Sequence, residues 1–272
     1  MGTEMPVVVG VDGSDEGRFA LEWAARDAAH RRRALRIVHA YVWPMMYAPV
    51  AVPVPAPYET GLQEAAAEIL RDATERAQAV APGLAIETDM PVQQPAAALI
   101  AAAEPASIVV VGNRGRGGFS GLMLGSVGVA LAAHAACPAV IVRRSTRPAG
   151  LEAGRVVVGI DGSHESERAL EFGFEEAAFR GAGLTALHAY DRDDEQRGLV
   201  ETTSRWAEKY PDVDVRYHGV RARPAEALAD RSAGSELLVV GSRGRGGFAG
   251  LLLGSVSQAA IHHAACPVAV VK

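Results

Sequence analysis

The segment Gly112-Asn-Arg-Gly-Arg-Gly-Gly-Phe-Ser-Gly-Leu-Met-Leu-Gly-Ser126 returns as Gly241-Ser-Arg-Gly-Arg-Gly-Gly-Phe-Ala-Gly-Leu-Leu-Leu-Gly-Ser255. Residue types and spacing of this kind suit the binding of an anion. Gly112 and Gly115, with Gly241 and Gly244, let the backbone turn tightly and approach a ligand. Gly117 and Gly118, with Gly246 and Gly247, carry no Cβ to block a sugar or a phosphate. Gly125-Ser126-Val127 and Gly254-Ser255-Val256 open Ala-rich stretches that read as helices. A helix start offers free N–H groups and the positive end of a dipole, both favourable to a phosphate. Arg114, Arg116, Arg243 and Arg245 add candidate charge-assisted contacts. The competing reading is a glycine-rich connection with solvated arginines, and a duplication copies such a loop as readily as a binding one.

Neither copy is a Walker loop, since no Gly-Lys-Ser/Thr follows the glycines. Neither is the dinucleotide fingerprint, because the first apolar run of each half ends in Val-Asp-Gly-Ser or Ile-Asp-Gly-Ser rather than Gly-x-Gly-x-x-Gly. That ending is itself repeated. Gly10-Val11-Asp12-Gly13-Ser14 corresponds to Gly159-Ile160-Asp161-Gly162-Ser163, and Val38-His39-Ala40-Tyr41 to Leu187-His188-Ala189-Tyr190, both at an offset of 149. Asp12 and Asp161 read either as ligand-facing carboxylates or as Asx-turn residues at a helix entry.

These residues need a scaffold that brings three separated segments together, and the pattern of elements supplies one. Strands are expected at Val7–Asp12, Leu35–Tyr41, Ala85–Met90, Ser107–Gly112 and Ala139–Arg143. Helices are expected at Asp15–Arg32, Thr60–Val80, Pro95–Glu104 and Ser126–Ala136. In the second half the strands fall at Val156–Asp161, Leu184–Tyr190, Val213–Gly219, Leu237–Gly241 and Val268–Val271. Runs such as Val7–Val11 and Ile108–Val111 are apolar throughout, as in a parallel sheet covered on both faces. The alternation predicts an α/β chain of two tandem Rossmann-like, doubly wound domains, each with a five-stranded parallel sheet. Ser14 and Ser163 are the expected N-caps, and Pro95 and Pro224 the expected first-turn prolines. Ligands of such sheets sit beyond the carboxyl ends of the strands. Asp12/Asp161, Ala40/Ala189 and the glycine loops all fall there.

The repeat covers nearly the whole chain of 272 residues, with 20 identities in the 31 positions 112–142 against 241–271. A period of this size means tandem domains, here 1–146 and 153–272, joined through the polar stretch 144–154. The loops are offset by 129 rather than 149, so the second half lacks about 20 residues after Tyr190. The extra residues of the first half include Trp43–Gly61 with Pro44, Pro49, Pro53, Pro55 and Pro57. That segment could cover the first site, contact the other half or bind a partner, and its prolines exclude a membrane helix.

The spacing Gly-x2-Gly-x9-Gly-Ser, taken with Val-Asp-Gly-Ser after the first strand, closely resembles the universal stress protein family. Its tandem form resembles the two-domain members of actinobacteria. The resemblance implies ATP, with Mg2+, as the ligand. It places Asp12 and Asp161 toward the ribose or a phosphate-bound metal, and Gly10 and Gly159 under the base. Val11 and Ile160 belong to the same turn, and the backbones of Ala40 and Ala189 would face the adenine edge. Gly125, Ser126 and Val127, with Gly254, Ser255 and Val256, match the phosphate grip. Ser257 follows that grip in the second half, whereas Gly128 stands there in the first, which puts equal affinity of the two sites in doubt. The resemblance also implies pairing of the halves through their last strands, and a homodimer.

A net charge of −5 argues against nucleic acid as the main partner. The opening residues show no leader pattern, and with two cysteines in equivalent His-Ala-Ala-Cys-Pro contexts, Cys137 and Cys266, a reducing cytoplasm is expected. No metal site and no catalytic residue is expected from ligand or nucleophile–base spacing. The favoured reading is a non-enzymatic, nucleotide-dependent stress regulator or sensor with an unidentified protein partner. Its rivals are an enzyme with slow ATPase or self-phosphorylating activity through Ser126 or Ser255, and a scaffold that binds no nucleotide. The Ser-Gly-Gly-x-Asp-Ser loop or His-x-x-His element that related ATP-consuming enzymes use is absent from the sequence.

Overall fold

A computed structural model describes residues 5–42, 56–115, 125–144, 149–190, 196–245 and 252–272. The chain forms two compact units, Met1–Leu131 and Ala132–Lys272. In the first, β1 (Val7–Gly10), α1 (Asp15–Arg31), β2 (Leu35–Val38), α2 (Ala56–Val80), β3 (Ile86–Asp89), α3 (Pro95–Ala103) and β4 (Ile108–Gly112) follow one another, and α4 (Ser126–His134) begins. The second holds β5 (Ala139–Val142), β6 (Arg155–Gly159), α5 (His164–Arg180), β7 (Gly183–Tyr190), α6 (Gln196–Lys209), β8 (Val215–Arg221), α7 (Pro224–Arg231), β9 (Leu237–Gly241), α8 (Ser255–His263) and β10 (Val268–Val271).

Both units are built on parallel strands. The first runs β3-β2-β1-β4, and the second runs β10-β9-β6-β7-β8. In each, the first strand of the repeat lies at the centre with the order reversing beside it, the place where an open α/β sheet forms a crevice. The central strands are the cores. Val7, Val8, Val9, Ile108, Val109 and Val110 are fully buried, as are Val156, Val157, Val158, Leu237, Leu238 and Val239. This explains their apolar runs: both faces are covered.

β5 carries the end of the first repeat yet lies in the second unit. It pairs antiparallel with β10, with Val140 opposite Ala269. Arg143 donates to the carbonyls of His262 and Ala264 at 2.9 and 2.6 Å, and Lys272 Nζ donates to Ala135 at 2.7 Å. Arg143 and Lys272, each directly after the last strand of its repeat, therefore cap carbonyls at the end of the other repeat's last helix. Such carbonyls have no intrahelical partner and favour a cation.

Helix boundaries follow their caps. Ser14 accepts from Gly17 N at 3.1 Å and Ser163 from Ser166 N at 3.2 Å, while Pro95 and Pro224 open α3 and α7. The ends of α1 and α5 differ in chemistry. Both C-caps are left-handed, filled by Gly181 at φ 61° but by Arg32 at φ 53°. α2 starts at Ala56 rather than Thr60, and β8 runs two residues later than its expected span. Residues 43–55 of the proline-rich segment, and residues 191–195 before α6, lie outside the described residues.

Candidate functional site

In the second unit, twelve sequence-predicted residues meet around one cavity of about 530 Å3. The end of β6 supplies Gly159, Ile160 and Asp161, and β7 supplies Ala189. The end of β9 and its loop supply Gly241, Arg243, Gly244 and Arg245. The start of α8 supplies Gly254, Ser255, Val256 and Ser257. The volume lies in the range of small-molecule sites. Gly246 and Gly247 lie outside the described residues.

Asp161 fastens the loop. Its Oδ1 accepts from Ser163 N at 2.9 Å and from Ser163 Oγ at 2.6 Å, an Asx-turn that also sets the N-cap of α5. Its Oδ2 accepts from the backbone N–H of Arg245 at 3.0 Å. Burial raises the carboxyl pKa, but donation from Ser163, Arg245 and Ser166 outweighs it and holds the pKa below the usual aspartate value. The turn reading and the site reading thus apply to one residue.

The glycines have separate reasons. A Cβ on Gly244 would lie 2.5 Å from Asp161 Oδ2, so the loop must be bare where it crosses the carboxylate. A Cβ on Gly241 would meet the backbone of Glu165 at 2.8 Å, so this glycine serves close packing of the loop on α5. Gly241 also lines the cavity, so close packing and proximity to the cavity coincide at this residue. Gly254 is different: its nearest neighbour would be Arg243 Cα at 3.4 Å, ordinary contact. Gly254 N donates to Ser242 O at 2.8 Å and closes the base of the loop.

The start of α8 is open to an anion. Its N-cap, Gly254, provides no side-chain cap, and no acid occupies the first turn. α1 and α5 instead have serine caps and acids in their first turns. The N–H groups at the start of α8 thus border the cavity without the local acceptors that satisfy α1 and α5. Ser257 Oγ donates to Gly241 O at 2.6 Å, with Ser242 O at 3.3 Å, tying helix to strand end. Its proton is committed to the backbone, so the hydroxyl is not the spare donor that the sequence suggested. Opposite the polar rim, Leu187, Pro224, Leu228 and Val240 make an apolar wall. Sequence reasoning did not name these as site residues, nor Ser166, whose hydroxyl lies 3.1 Å from Gly162 N and 3.4 Å from Asp161 N. Leu187 and Val240 are neighbours of named strand-end residues, but Leu228 projects from a helix whose sequence carries no binding signal.

The first unit repeats the central geometry. Asp12 Oδ1 accepts from Ser14 N and Oγ at 3.0 and 2.5 Å. A Cβ on Gly115 would lie 2.5 Å from Asp12 Oδ2, and Gly125 N donates to Asn113 O at 2.9 Å. A Cβ on Gly112 would meet Glu16 at 2.7 Å. Gly10 lies under Leu99, as Gly159 lies under Leu228. Val11 is buried at the end of β1, and Ala40 is partly exposed beyond β2. Arg114 is exposed, and Ser126 and Val127 open α4. Arg116, Gly117 and Gly118 lie outside the described residues. His39 Nδ1 bonds Val11 O at 2.8 Å and so donates, while His188 is buried with Tyr217 OH at 3.5 Å, consistent with strand-end packing.

Two repeats that place the same aspartate against the same glycine accord with the comparisons to known proteins. The universal stress protein family model matches residues 5–143 and again 152–272. The chain belongs to the universal stress protein family. A universal stress protein of Mycolicibacterium smegmatis is 38% identical over 293 residues, covering 99% of this chain and 98% of the relative. One from Mycobacterium tuberculosis is 35% identical over 290 residues, covering 99% of this chain and 97% of the relative. A solved universal stress protein structure from Archaeoglobus fulgidus has a TM-score of 0.77, 22% identity, and coverage of 100% of this chain and 99% of the other, a likeness of fold. Universal stress protein domains thus stand in tandem, on a Rossmann-like, parallel-dominated scaffold.

Among the described residues no group of three or more His, Cys, Asp or Glu is placed to hold a metal ion, and no helix is long and apolar enough to cross a membrane. Neither Cys137 nor Cys266 forms a disulfide, and burial pushes the Cys266 thiol pKa up to about 12. His262, in the last turn of α8, has its pKa lowered by burial, with His263 and Arg143 adding repulsion.

Proposed function

We propose that each universal stress protein domain binds one adenine nucleotide, ATP with Mg2+, and that binding regulates a stress response without multiple turnover. One observation carries this reading: Asp161, the glycine loop and the uncapped start of α8 converge on a single cavity with an apolar far wall. The wall of Leu187, Leu228 and Val240 suits a planar base. The N–H groups of the α8 first turn, Ser255, Arg243 and Arg245 suit phosphates. In the first domain the corresponding residues are Asp12, Ala40, Arg114, Ser126 and Val127.

Bound Mg2+ would supply positive charge against the phosphates, whose oxygens bring most of its ligands. Asp161 is the carboxylate nearest that role, its Oδ2 sharing the Arg245 N–H. Regulation through assembly fits β5 and β10, which link the last strands of the two repeats, and a homodimer would extend it. A cytoplasmic location and a protein partner complete the proposal. Mass spectrometry of small molecules released from freshly purified, denatured protein tests it, with an adenine nucleotide expected. The absence of any nucleotide, together with no calorimetric heat on adding MgATP, overturns it in favour of a ligand-free scaffold.

A further inference from the structure

The loop arginine of the second domain is already engaged. Arg243 Nη2 donates to Glu165 Oε1 at 3.0 Å, with the arginine side chain 54% exposed and the glutamate 21%. Arg243 lines the cavity. Glu165 is held beside it by backbone packing, because Gly241 has no Cβ to push α5 away. A second carboxylate, besides Asp161, therefore sits beside a site whose helix start and loop arginines suit an anion. The first domain has the same residue types in the same packing, with Gly112 against Glu16 and Arg114 in the loop. Among the described residues, however, Arg114 and Glu16 form no ion pair. One arrangement thus occurs latched in one repeat and unlatched in the other.

We infer that Glu165 is a specificity-determining residue that holds Arg243 in reserve and sets how strongly the second site favours ligands with long phosphate chains. This rests on the nucleotide reading of that site. An exposed pair is weak and exchangeable, so a phosphate that reaches Arg243 takes it from Glu165. The exchange costs the ion pair and leaves an uncompensated carboxylate near the phosphates. A ligand without phosphate gains nothing from the exchange and leaves the latch closed. Glu165 therefore lowers the advantage of ATP over adenosine while the apolar wall continues to read the base. The carboxylate acts through Arg243 and through its own field, not by touching the base.

The test is calorimetry on the intact chain with adenosine and with MgATP, comparing the unmodified protein with Glu165→Gln. Glu165→Gln raises affinity for MgATP at one site by about two- to fivefold, the worth of an exposed ion pair, and leaves adenosine unchanged. In an Arg243→Gln background the same substitution has a smaller effect, since there is no arginine to release. Glu16→Gln gives a smaller gain than Glu165→Gln. Equal shifts for adenosine and MgATP, no shift for MgATP, or no coupling between Glu165 and Arg243 overturns the inference while leaving nucleotide binding intact. Failure of both ligands to bind the unmodified protein overturns the nucleotide reading itself and the inference with it.

Discussion

The carboxylate of Asp161 accepts the backbone N–H of Arg245 at 3.0 Å, across 84 residues of chain. This bond joins the end of the first strand of the second repeat to the glycine loop after its fourth. It stands in a turn already closed by Ser163, so one side chain fixes the entry of α5 and the path of the loop together. Asp12 stands in the same relation to its own serine and glycine in the first repeat. The shape of each candidate site therefore depends on an aspartate side chain held by hydrogen bonds.

Because the folded-state pKa of Asp161 is depressed, its contribution to stability is present above the ordinary aspartate value of 3.8. It is lost as pH falls through the lower folded-state value. Asp161→Asn keeps the volume and is expected to reduce stability by about 1–3 kcal/mol at pH 7, as charge-assisted bonds weaken. The loss should shrink as pH falls below the aspartate value. Urea unfolding of both proteins between neutral pH and pH 3 checks this, and a pH-independent difference would show that the charge is not the cause.

The glycines separate fold from binding. Gly244→Ala places a Cβ against Asp161 Oδ2 and is expected to lower both stability and nucleotide affinity, since the loop fastening must shift. Gly254→Ala meets only ordinary contacts and should cost less than about 1 kcal/mol of stability. Any larger drop in MgATP affinity for Gly254→Ala then reports the ligand side of the loop. Thermal unfolding beside calorimetry distinguishes the two, and a Gly254→Ala protein that binds normally would remove the start of α8 from the site.

Thiol chemistry should be unequal. Cys266 is buried with its thiol pushed up to about 12, so at pH 8 the thiolate fraction is negligible. Cys137 is partly exposed. Labelling with a disulfide reagent under native conditions should modify Cys137 first and Cys266 only on unfolding. Peptide mass mapping identifies the modified residue, and equal rates would contradict the burial of Cys266.

Arg32 holds a left-handed conformation that Gly181 fills at the equivalent end of α5. Arg32→Gly removes the strain of a Cβ at that angle and is expected to stabilise the chain by about 0.5–1 kcal/mol. A denaturant midpoint that falls instead would mean that the arginine side chain makes a compensating contact.

Much of this was legible in the sequence because it is local or repeated. Apolar runs such as Val7–Val9 and Ile108–Val110 gave the buried strands, and Ser14 and Ser163 gave the helix starts. Doubling of Asp-Gly-Ser and of the glycine loop located the strand ends that meet at the cavity. What was not legible depends on side-chain direction and distant contact. Leu228 reaches the cavity only because α7 packs over Gly159, and nothing in Ala-Glu-Ala-Leu signals it. Ser257 reads as a free hydroxyl until Gly241 O is found beside it. The pairing of β5 with β10, which groups β5 with the second unit, was implied by the family resemblance and not by the composition of either strand.

Calorimetric titration of the freshly purified, ligand-stripped chain with MgATP is the most direct test that these loops bind nucleotide. Saturation at two nucleotides per chain is the predicted result, with Gly244→Ala losing one of the two. A titration with no binding heat, confirmed by equilibrium dialysis showing no retained nucleotide, would contradict the account.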